Sequence, residues 1–535
     1  MLSKYKKVPL AGIANKYLKI LTTKHRIQGS RGLEEAIDII AEFLRREGFR
    51  IKVFEIPTSS EKGFVETPIS WDVKDGFLEL KAGENTIAYL SYHDHPTLVA
   101  AHSPPGEGCG EVRYCESLEG CSGEVVLLEA PAYIAYNTVD ADLVILYDSK
   151  RYPDAVPYTG LFLRAGEVRE KPVVLNIPYA YAQRLISMLS RGVRITACWK
   201  VVVEYSNRPL KGLIAYNSEE PGIAFISHIC HPRPSAHDNA SGVVANTLVA
   251  KILSETGHEF SSAHVFVPEY TGTVYLKEYL PWHPIGVVNL DMVGSKQSVT
   301  GSVLNIVNPP LFMKPYMASY TYLAIKLLLD KASSFGGFSL PAQKYSITPY
   351  TVGSDHDVTV SWGIDSVMLN EWPSKYYHTD MDDVESISIS YLVDTSVASA
   401  LAGYMAYKKT HGENITEFYR SYLKSWYQFE ACKKEVGTEW ISKLLSYWDE
   451  YAIKVQLETP ISSRYIYKLI GLPKYMKLRN IKGALTYLSV YAPLAYINGI
   501  ENHEEMFQQE NLIRWTQEEK ELISEAWSII KEKLG

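Results

Sequence analysis

The chain has 535 residues, of which 46% are hydrophobic and 21% are charged. This composition is typical of globular proteins and argues against a disordered chain, a collagen-like fibre or a coiled coil. The net charge is −7 and no basic stretch stands out, so nucleic acid is not an expected partner. At roughly 150 residues per domain, the length predicts three or four domains.

No window of the sequence reaches the roughly 18 uninterrupted apolar residues of a membrane span. The N-terminal stretch MLSKYKKVPLAGIANKY carries lysines, but its apolar run is too short for a signal peptide. The sequence therefore predicts a cytoplasmic protein with no membrane partner. Cys109, Cys115 and Cys121 lie close together without a CxxC pair, which favours free or structural cysteines over a metal site or a disulfide.

The N-terminal elements begin with an amphipathic helix over residues 33–47, followed by the alternating strand FRIKVFEI. A stretch rich in Pro, Ser and Gly follows, and residues 61–215 are predicted to form an inserted β-rich module. Its strands are GEVVLLEA, DLVILYD and KPVVLNIP, and one helix that ends at Gly192 follows them. Residues 1–60 are assigned to the same domain as the segment that follows the insertion.

Between residues 216 and 410, short apolar strands alternate with helices, as in IAFISHI, HVFVPE, GVVNLDMV and DSVMLNE. This alternation predicts an α/β fold with a mostly parallel central sheet flanked by helices. Residues 411–535 are predicted to be a helical C-terminal domain, whose last helix opens with a capping box from Thr516 to Glu519. This region is a candidate surface for homo-oligomer formation.

Five short stretches at predicted strand ends share one chemical character, and open α/β sheets bind their ligands at such ends. Nitrogen and oxygen donors of this kind suit zinc, cobalt or manganese. The stretches are SHICHP with His228 and His231, HDNASG with Asp238, VPEYTG with Glu269, NLDMVG with Asp291, and YYHTDMDD with His378.

The order of these motifs resembles the zinc aminopeptidase superfamily, which includes bacterial leucyl aminopeptidases, glutamate carboxypeptidase and glutaminyl cyclases. DNASG at 238–242 matches that pattern literally, and GIAFISHIC, GVVNLDMVG, GSDHD and HTDMDD resemble its other segments. The resemblance covers roughly 25–57 and 216–400, extends loosely to a protease-associated insertion at 123–205, and leaves out 411–535. CHP followed by DNASG is similar to one aminopeptidase-like branch of the superfamily.

The resemblance implies a zinc peptidase fold in which Asp238 bridges two metal ions. Asp291 and a histidine of SHICHP would complete one site, and His378 would complete the other. Both His228, by its place in the HxD pattern, and His231, by the CHP motif, are candidates. Cys230 stands where the superfamily has an aspartate that orients the histidine.

A second departure concerns the EExG motif, in which the first glutamate is the general base and the second a metal ligand. Here the pair is Glu269 and Tyr270. By its spacing to Gly272, Glu269 matches the base. The metal count, one or two ions, stays open, as does whether Glu269 is base or ligand. Residues expected only to support the site are His237, His356 and Asp355, with Asp382 or Asp383 holding the final loop.

The resemblance implies a metal-dependent aminopeptidase that acts on peptides, with Glu269 taking a proton from an activated water. Two alternatives remain. A single-zinc enzyme like glutaminyl cyclase is compatible with the missing carboxylate at Tyr270. A non-catalytic binding or scaffold protein on a decayed peptidase fold is compatible with Tyr270 and Cys230.

Overall fold

An eight-stranded sheet forms the centre of the protein in a computed structural model that describes residues 9–410 and 412–534. The first eight residues of the N-terminal stretch considered above therefore lie outside the described residues. Across the sheet, the strands are ordered Arg50–Ile56, Leu210–Tyr216, Ser262–Val267, Ile223–His228, Gly286–Asp291, Ser366–Trp372, Val303–Val307 and Tyr345–Thr348.

The middle of this sheet is parallel. The strand Ile223–His228 pairs in parallel with Ser262–Val267 on one side and with Gly286–Asp291 on the other, and Gly286–Asp291 pairs in parallel with Ser366–Trp372. Every residue of Ile223–His228, Ser262–Val267 and Gly286–Asp291 is buried. Continuous burial is the property of strands covered on both faces, so these strands read as unbroken apolar runs rather than alternating ones.

Two cores lie on opposite faces of the sheet, because successive side chains of a strand point in opposite directions. Phe225 packs into a large core built with five long helices, whereas Ala224 and Ile226 pack into a smaller core with Val358 and Trp362. The five helices are Leu10–Thr22, Arg31–Arg46, Gly242–Thr256, Tyr316–Leu329 and Ile389–Tyr407. Shorter helices are His356–Ser361, Leu276–Tyr279 and Gln297–Thr300.

A second sheet of seven strands occupies residues 70–206. Its order is Asn85–Ser91, Ser70–Ala82, Thr196–Ser206, Gly106–Tyr114, Val125–Leu128, Leu143–Leu146 and Val173–Asn176. The three predicted apolar strands are confirmed as the parallel end of this sheet. Besides the predicted helix, found at Tyr179–Ser190, a short helix at Ala132–Thr138 was missed, because its seven residues follow Pro131 and carry too little periodicity.

The preference for free or structural cysteines over a disulfide was wrong for the module. Cys109 is disulfide-bonded to Cys198, and Cys115 is bonded to Cys121. Cys109 and Cys198 lie directly opposite each other on neighbouring strands, 89 residues apart in sequence. Sequence spacing carries no signal for such a pairing, because only the strand register brings the two residues together. Cys230 and Cys432 are free thiols.

The C-terminal region is helical, as predicted, and its packing joins it to the large core of the central sheet. Its helices are Gly412–Lys433, Trp440–Glu450, Ser463–Ile470, Leu472–Asn480, Ala484–Thr486, Ala492–Ile497, His503–Glu510 and Gln517–Lys531. The capping box from Thr516 to Glu519 is present. The predicted fold class, an α/β protein with a central sheet, a β-rich module and a helical C-terminal region, is confirmed. In the part of the chain described, no helix has the length and apolar character needed to cross a membrane.

Two additional two-stranded hairpins lie outside the main sheets. One pairs Glu61–Lys62 with Val65–Glu66, at the point where the chain passes from the central sheet to the module. The other pairs Ala332–Ser333 with Ser339–Leu340.

Candidate metal centre

The candidate site lies at the carboxyl edge of the parallel strands. His228 and Asp291 are the last residues of their strands, and Glu269 follows the strand Ser262–Val267 by two residues. His378 lies in the loop after Ser366–Trp372. Because the carboxyl ends of parallel strands meet at one edge of a sheet, side chains from distant parts of the sequence come together there.

The inner cluster consists of His228, Asp238 and Asp291. The Nε2 atom of His228 lies 3.3 Å from Oδ1 of Asp238 and 3.3 Å from Oδ1 of Asp291. All three side chains are nearly inaccessible to solvent, with at most 6% of their surface exposed. Burial alone would lower the pKa of His228, but the carboxylates of Asp291, Glu269 and Asp238 raise that pKa well above its ordinary range.

The outer cluster consists of His231, Asp238 and His378. The second carboxylate oxygen of Asp238, Oδ2, lies 3.0 Å from Nε2 of His378 and 3.4 Å from Nε2 of His231. The two histidine Nε2 atoms are themselves 3.3 Å apart. Burial lowers the pKa of both His231 and His378 to about 4, so both imidazoles are neutral near pH 7, the form that ligates metals.

The donor chemistry of both clusters fits divalent metal ions. Within each cluster, one potential ligand atom per residue lies within 4.8 Å of the others. Asp238 belongs to both clusters and directs one oxygen to each. Burial would raise the pKa of Asp238, but His231, His228 and His378 together lower it well below its ordinary range. A buried anionic carboxylate among imidazoles is the donor set that zinc and related ions prefer.

Several hydrogen bonds hold Asp238 in this bridging position. The backbone N–H groups of His237 and Asp238 each donate to a carboxylate oxygen of Asp382 at 2.9 Å. Asn239 donates from Nδ2 to the carbonyl oxygens of His228 and Leu290, and thereby ties two strand ends together. Asp382 thus supports the site by fixing the backbone of the bridging residue.

The packing around the DNASG motif explains why its last residue is a glycine. A Cβ atom at Gly242 would collide with the side chain of Asn239 and with the carbonyl oxygen of Leu290. The Asn239 Oδ1 atom accepts hydrogen bonds from the backbone N–H groups of Gly242 and Met292. Gly242 then begins the helix Gly242–Thr256, so the motif places Asp238 just before a buried helix start.

Tyr270 points away from both clusters. Its hydroxyl donates to Asp357, and its backbone N–H donates to Asp355 at 2.8 Å. The side chain at this position is therefore engaged elsewhere and contributes no donor to the clusters. His231 lies where the outer cluster needs a third donor, and it is held there by two backbone hydrogen bonds with Arg26.

Glu269 borders the site without joining a cluster. Among the described residues, no metal-binding group of three includes it. Glu269 lines the same cavity as His228 and His231. Burial raises the pKa of Glu269 well above its ordinary range; His228 opposes this effect, and Cys230 and Asp291 add to it. A carboxyl group with a raised pKa near an activated water is suited to accept and return a proton.

Cys230 occupies the position of the orienting aspartate and contacts both neighbouring histidines. Its Sγ atom lies 3.7 Å from Nδ1 of His228 and 3.6 Å from Nδ1 of His231, and it accepts a hydrogen bond from the Glu269 N–H at 3.3 Å. The thiol therefore lies behind the imidazoles, on the side opposite the atoms that face Asp238.

Tyr158 is a residue of this site that sequence reasoning missed. Its ring makes edge contacts with the rings of His231 and His378, and its backbone N–H donates to the His378 carbonyl at 2.7 Å. It belongs to the inserted module, and no motif marks it. The supporting residues are also placed: His356 hydrogen-bonds to the Thr351 carbonyl, and His237 to Ser374.

A cavity of about 500 Å³, here called the ligand cavity, opens beside the two clusters. All six predicted site residues line it. Its lining includes three residues from strands of the sheet: Val307 and Met368, which are apolar, and Asn370, which carries a polar amide. The cavity is large enough for one amino-acid side chain together with the main-chain atoms of a short peptide.

The structure is similar to solved peptidases. A peptidase M28 precursor from Shewanella amazonensis shares 15% sequence identity and a TM-score of 0.52, covering 74% of this chain and 95% of the other. The zinc aminopeptidase BSAP from Bacillus subtilis shares 18% identity and a TM-score of 0.50, covering 74% of this chain and 94% of the other. At this identity the likeness is one of fold, and the predicted peptidase-like fold is confirmed. No protein-family model and no curated protein sequence matches the chain.

Proposed function

We propose that this protein is a metal-dependent aminopeptidase that removes N-terminal residues from peptides, with two metal ions bound by the inner and outer clusters. One observation carries the proposal: the two oxygens of Asp238 face two separate groups of donors, and Glu269 lines the same cavity as the residues of both groups. Zinc is the ion best suited to these His and Asp donors, and cobalt or manganese would fit the same set.

When bound, such ions polarise a carbonyl group and lower the pKa of a water molecule. Glu269 accepts a proton from the attacking water while the water oxygen bonds to the scissile carbonyl carbon. The carboxyl group then returns that proton to the leaving nitrogen as the C–N bond breaks. The carboxyl group must hold the proton between the two steps, so Glu269 acts first as a general base and then as a general acid.

The two alternative functions rested on Tyr270 and Cys230. His231 favours the peptidase over both alternatives, because it supplies the third donor of the outer cluster. Tyr270 does not supply that donor, since its hydroxyl bonds to Asp357. The proposal also keeps the expectations of a peptide substrate, of a cytoplasmic location, and of a homo-oligomer formed through residues 411–535.

The decisive test is Glu269→Gln, which keeps the shape of the side chain but removes its basicity. We expect release of leucine from leucine amide and leucyl-leucine to fall about a hundred- to ten-thousandfold, with metal content unchanged. The matched control is Glu278→Gln, an exposed carboxylate that does not line the ligand cavity. Activity retained in Glu269→Gln would exclude Glu269 as the base.

A further inference from the structure

His378 differs from other donors of the two clusters in how its backbone is held. His228 and Asp291 end buried strands, whereas His378 lies in the loop after Ser366–Trp372 and has a φ of 52°, in the left-handed region that favours glycine. Its side chain is 25% exposed, against 5% for Asp238. A backbone conformation of this kind persists only where the surrounding structure fixes it.

The inserted module supplies that support through paired backbone. Residues 156–158 of the module pair antiparallel with residues 378–380 of the loop. Two hydrogen bonds join them, one from the Tyr158 N–H to the His378 carbonyl at 2.7 Å and one from the N–H at 380 to the carbonyl at 156 at 3.1 Å. Among the described residues, these are the backbone hydrogen bonds that join 378–380 to a segment distant in sequence.

The side chain of Asp380 adds two further contacts with the module. Its Oδ1 atom accepts a hydrogen bond from the Val156 N–H at 2.9 Å, and its Oδ2 atom lies 2.6 Å from Nδ1 of His95. The Asp380 side chain is only 7% exposed. Both oxygens of this carboxylate therefore bind the module, and the module clamp is defined here as His95, residues 156–158 and residues 378–380.

The module side of the clamp is itself firmly held. Val156 is fully buried in the core of the module, and its carbonyl also accepts a hydrogen bond from the Thr97 hydroxyl at 2.9 Å. Directly after the clamp, the Thr159 carbonyl accepts from the Ala101 N–H at 2.9 Å. The loop of His378 is thus paired with a fixed part of the module.

The ring of Tyr158 extends these contacts to the imidazoles. It makes edge contacts with the rings of His231 and His378, with centroid distances of 5.2 and 5.0 Å. The His378 ring also stacks on Tyr377, with a centroid distance of 3.8 Å. The imidazole of His378 is therefore in contact with two aromatic rings, one of them from the module, which restricts its rotation.

We propose that the inserted module is part of the outer metal site, because the module clamp fixes His378 and thereby sets the affinity for the outer ion. The inference rests on the proposed function, which places one ion at each cluster. In the part of the chain described, no hydrogen bond or ring contact joins the module to His228 or Asp291 of the inner cluster. Asp380 and Tyr158 are positioning residues that act through His378, so loosening them weakens the outer ion alone.

The first test is Asp380→Ala, which removes both side-chain contacts with the module. We expect the affinity for the outer ion to fall about 10- to 100-fold, with the inner ion unchanged, as measured by competition of zinc with a chromogenic chelator. The retained inner ion shows that the variant is folded. The matched control is Asp154→Ala, an exposed aspartate of the module outside the clamp. Unchanged affinities in Asp380→Ala, or equal loss of both ions, would overturn the proposal.

A second variant assigns the weakened ion to its cluster. His231→Ala removes a donor of the outer cluster only and provides the reference for the inner ion. Adding Asp380→Ala to His231→Ala should leave the affinity for the remaining ion unchanged. A fall of tenfold or more there would show that the clamp supports the inner cluster as well, which contradicts the proposal.

The pair Tyr158→Phe and Tyr158→Ala tests the ring contact. Phenylalanine keeps the aromatic edge against both histidines and should keep the affinity for the outer ion, whereas alanine should lower it about tenfold. The conservative variant thus restores what the smaller side chain loses. Equal loss of affinity in both variants would attribute the effect to the hydroxyl group and overturn the positioning role of the ring.

A measurement on metal-free protein tests the clamp without any ion. Amide hydrogen exchange of residues 376–381 should be faster in Asp380→Ala than in the wild type, while residues 286–291 exchange equally in both. Equal exchange of 376–381 in the two proteins would overturn the clamp.

Activity separates this proposal from the proposed function. At limiting zinc, kcat for leucine amide should fall in Asp380→Ala while KM stays constant, and kcat should recover as free zinc is raised. If the wild type binds two ions but releases no leucine, the proposed function fails, and the affinities still test the clamp. If leucine is released and Asp380→Ala keeps both affinities, the clamp proposal fails alone.

Discussion

Two buried carboxyl groups, Asp238 at the sheet edge and Glu510 in the C-terminal region, differ in charge: the first is anionic and the second is neutral. Asp238 is 3% exposed and Glu510 is fully buried. Burial tends to raise the pKa of both, yet three histidines lower that of Asp238 well below its ordinary range, whereas the pKa of Glu510 rises to about 8. The comparison shows that the sheet edge keeps a buried carboxylate anionic, whereas the helical region buries a carboxyl group in its neutral form.

The surroundings of Glu510 explain its neutrality. Its carboxyl group accepts hydrogen bonds from the Tyr491 hydroxyl at 2.9 Å and from the Leu311 N–H at 3.3 Å. Neither donor is a cation. Burial at Asp238 is offset by imidazoles and, in the proposed enzyme, by metal ions. Burial at Glu510 is offset by hydrogen bonds alone, so the proton stays on the carboxyl group.

The largest expected effect is that of Asp238→Asn, which removes one anionic oxygen and the charge shared by the clusters. We expect both metal ions to be lost and activity to fall by at least about a thousandfold. Metal content and leucine release from leucyl-leucine measure the two effects. Asp38→Asn, on an exposed helix position, is the control. Full metal content in Asp238→Asn would show that Asp238 is not needed to bind the ions.

A smaller effect is expected for His231→Ala, because His231 serves the outer cluster only. The variant should lose one of two metal equivalents, with kcat/KM reduced about a hundredfold. His231→Glu should restore the second equivalent, since a carboxylate is again available to the outer cluster. His283→Ala, an exposed histidine, is the control. Two equivalents in His231→Ala would show that another residue completes the outer cluster.

Cys230→Ala should act more weakly still, through the histidines that its sulfur contacts. Loss of such a support typically costs 10- to 100-fold in metal affinity, so we expect a change of roughly that size. Competition with a chromogenic chelator measures the affinity. Cys432→Ala, the other free thiol, is exposed and should leave it unchanged. Equal metal affinities for the two variants would show that Cys230 does not support the histidine ligands.

The smallest expected effect tests the helical side of the comparison. A folded-state pKa of about 8 for Glu510, above its ordinary 4.5, means that the folded protein holds a proton which the unfolded chain releases. The free energy of unfolding should therefore decrease as pH rises from about 4.5 to about 8, by up to a few kcal/mol.

Glu510→Gln removes this titration and should be more stable than the wild type above pH 8. Thermal denaturation at pH 5 and pH 9 measures the difference, with the exposed Glu505→Gln on the same helix as control. If wild type and Glu510→Gln lose stability equally between the two pH values, Glu510 is charged in the folded protein.

Much of the fold could be predicted from the sequence, because continuous apolar runs identify buried parallel strands and helical periodicity identifies their covering helices. The strand ends at His228 and Asp291 followed directly from those runs. The edge of the sheet could be predicted as the site for the same reason, since parallel strands end together.

Other features could not be predicted, because they depend on contacts between residues with no shared pattern. The disulfide partner of Cys109 is defined by strand register, and Tyr158 reaches the histidines from a separate module. The choice between His228 and His231 stayed open in the sequence, since only the geometry gives each a place beside a different oxygen of Asp238.

Metal content decides whether the two clusters bind ions. Wild-type protein and Asp238→Asn are both purified without chelator and analysed by mass spectrometry of the metals. We predict two equivalents per wild-type chain, one for each cluster, and almost none in the variant. A wild-type chain with well under one equivalent, or a variant that keeps its metal, would contradict it.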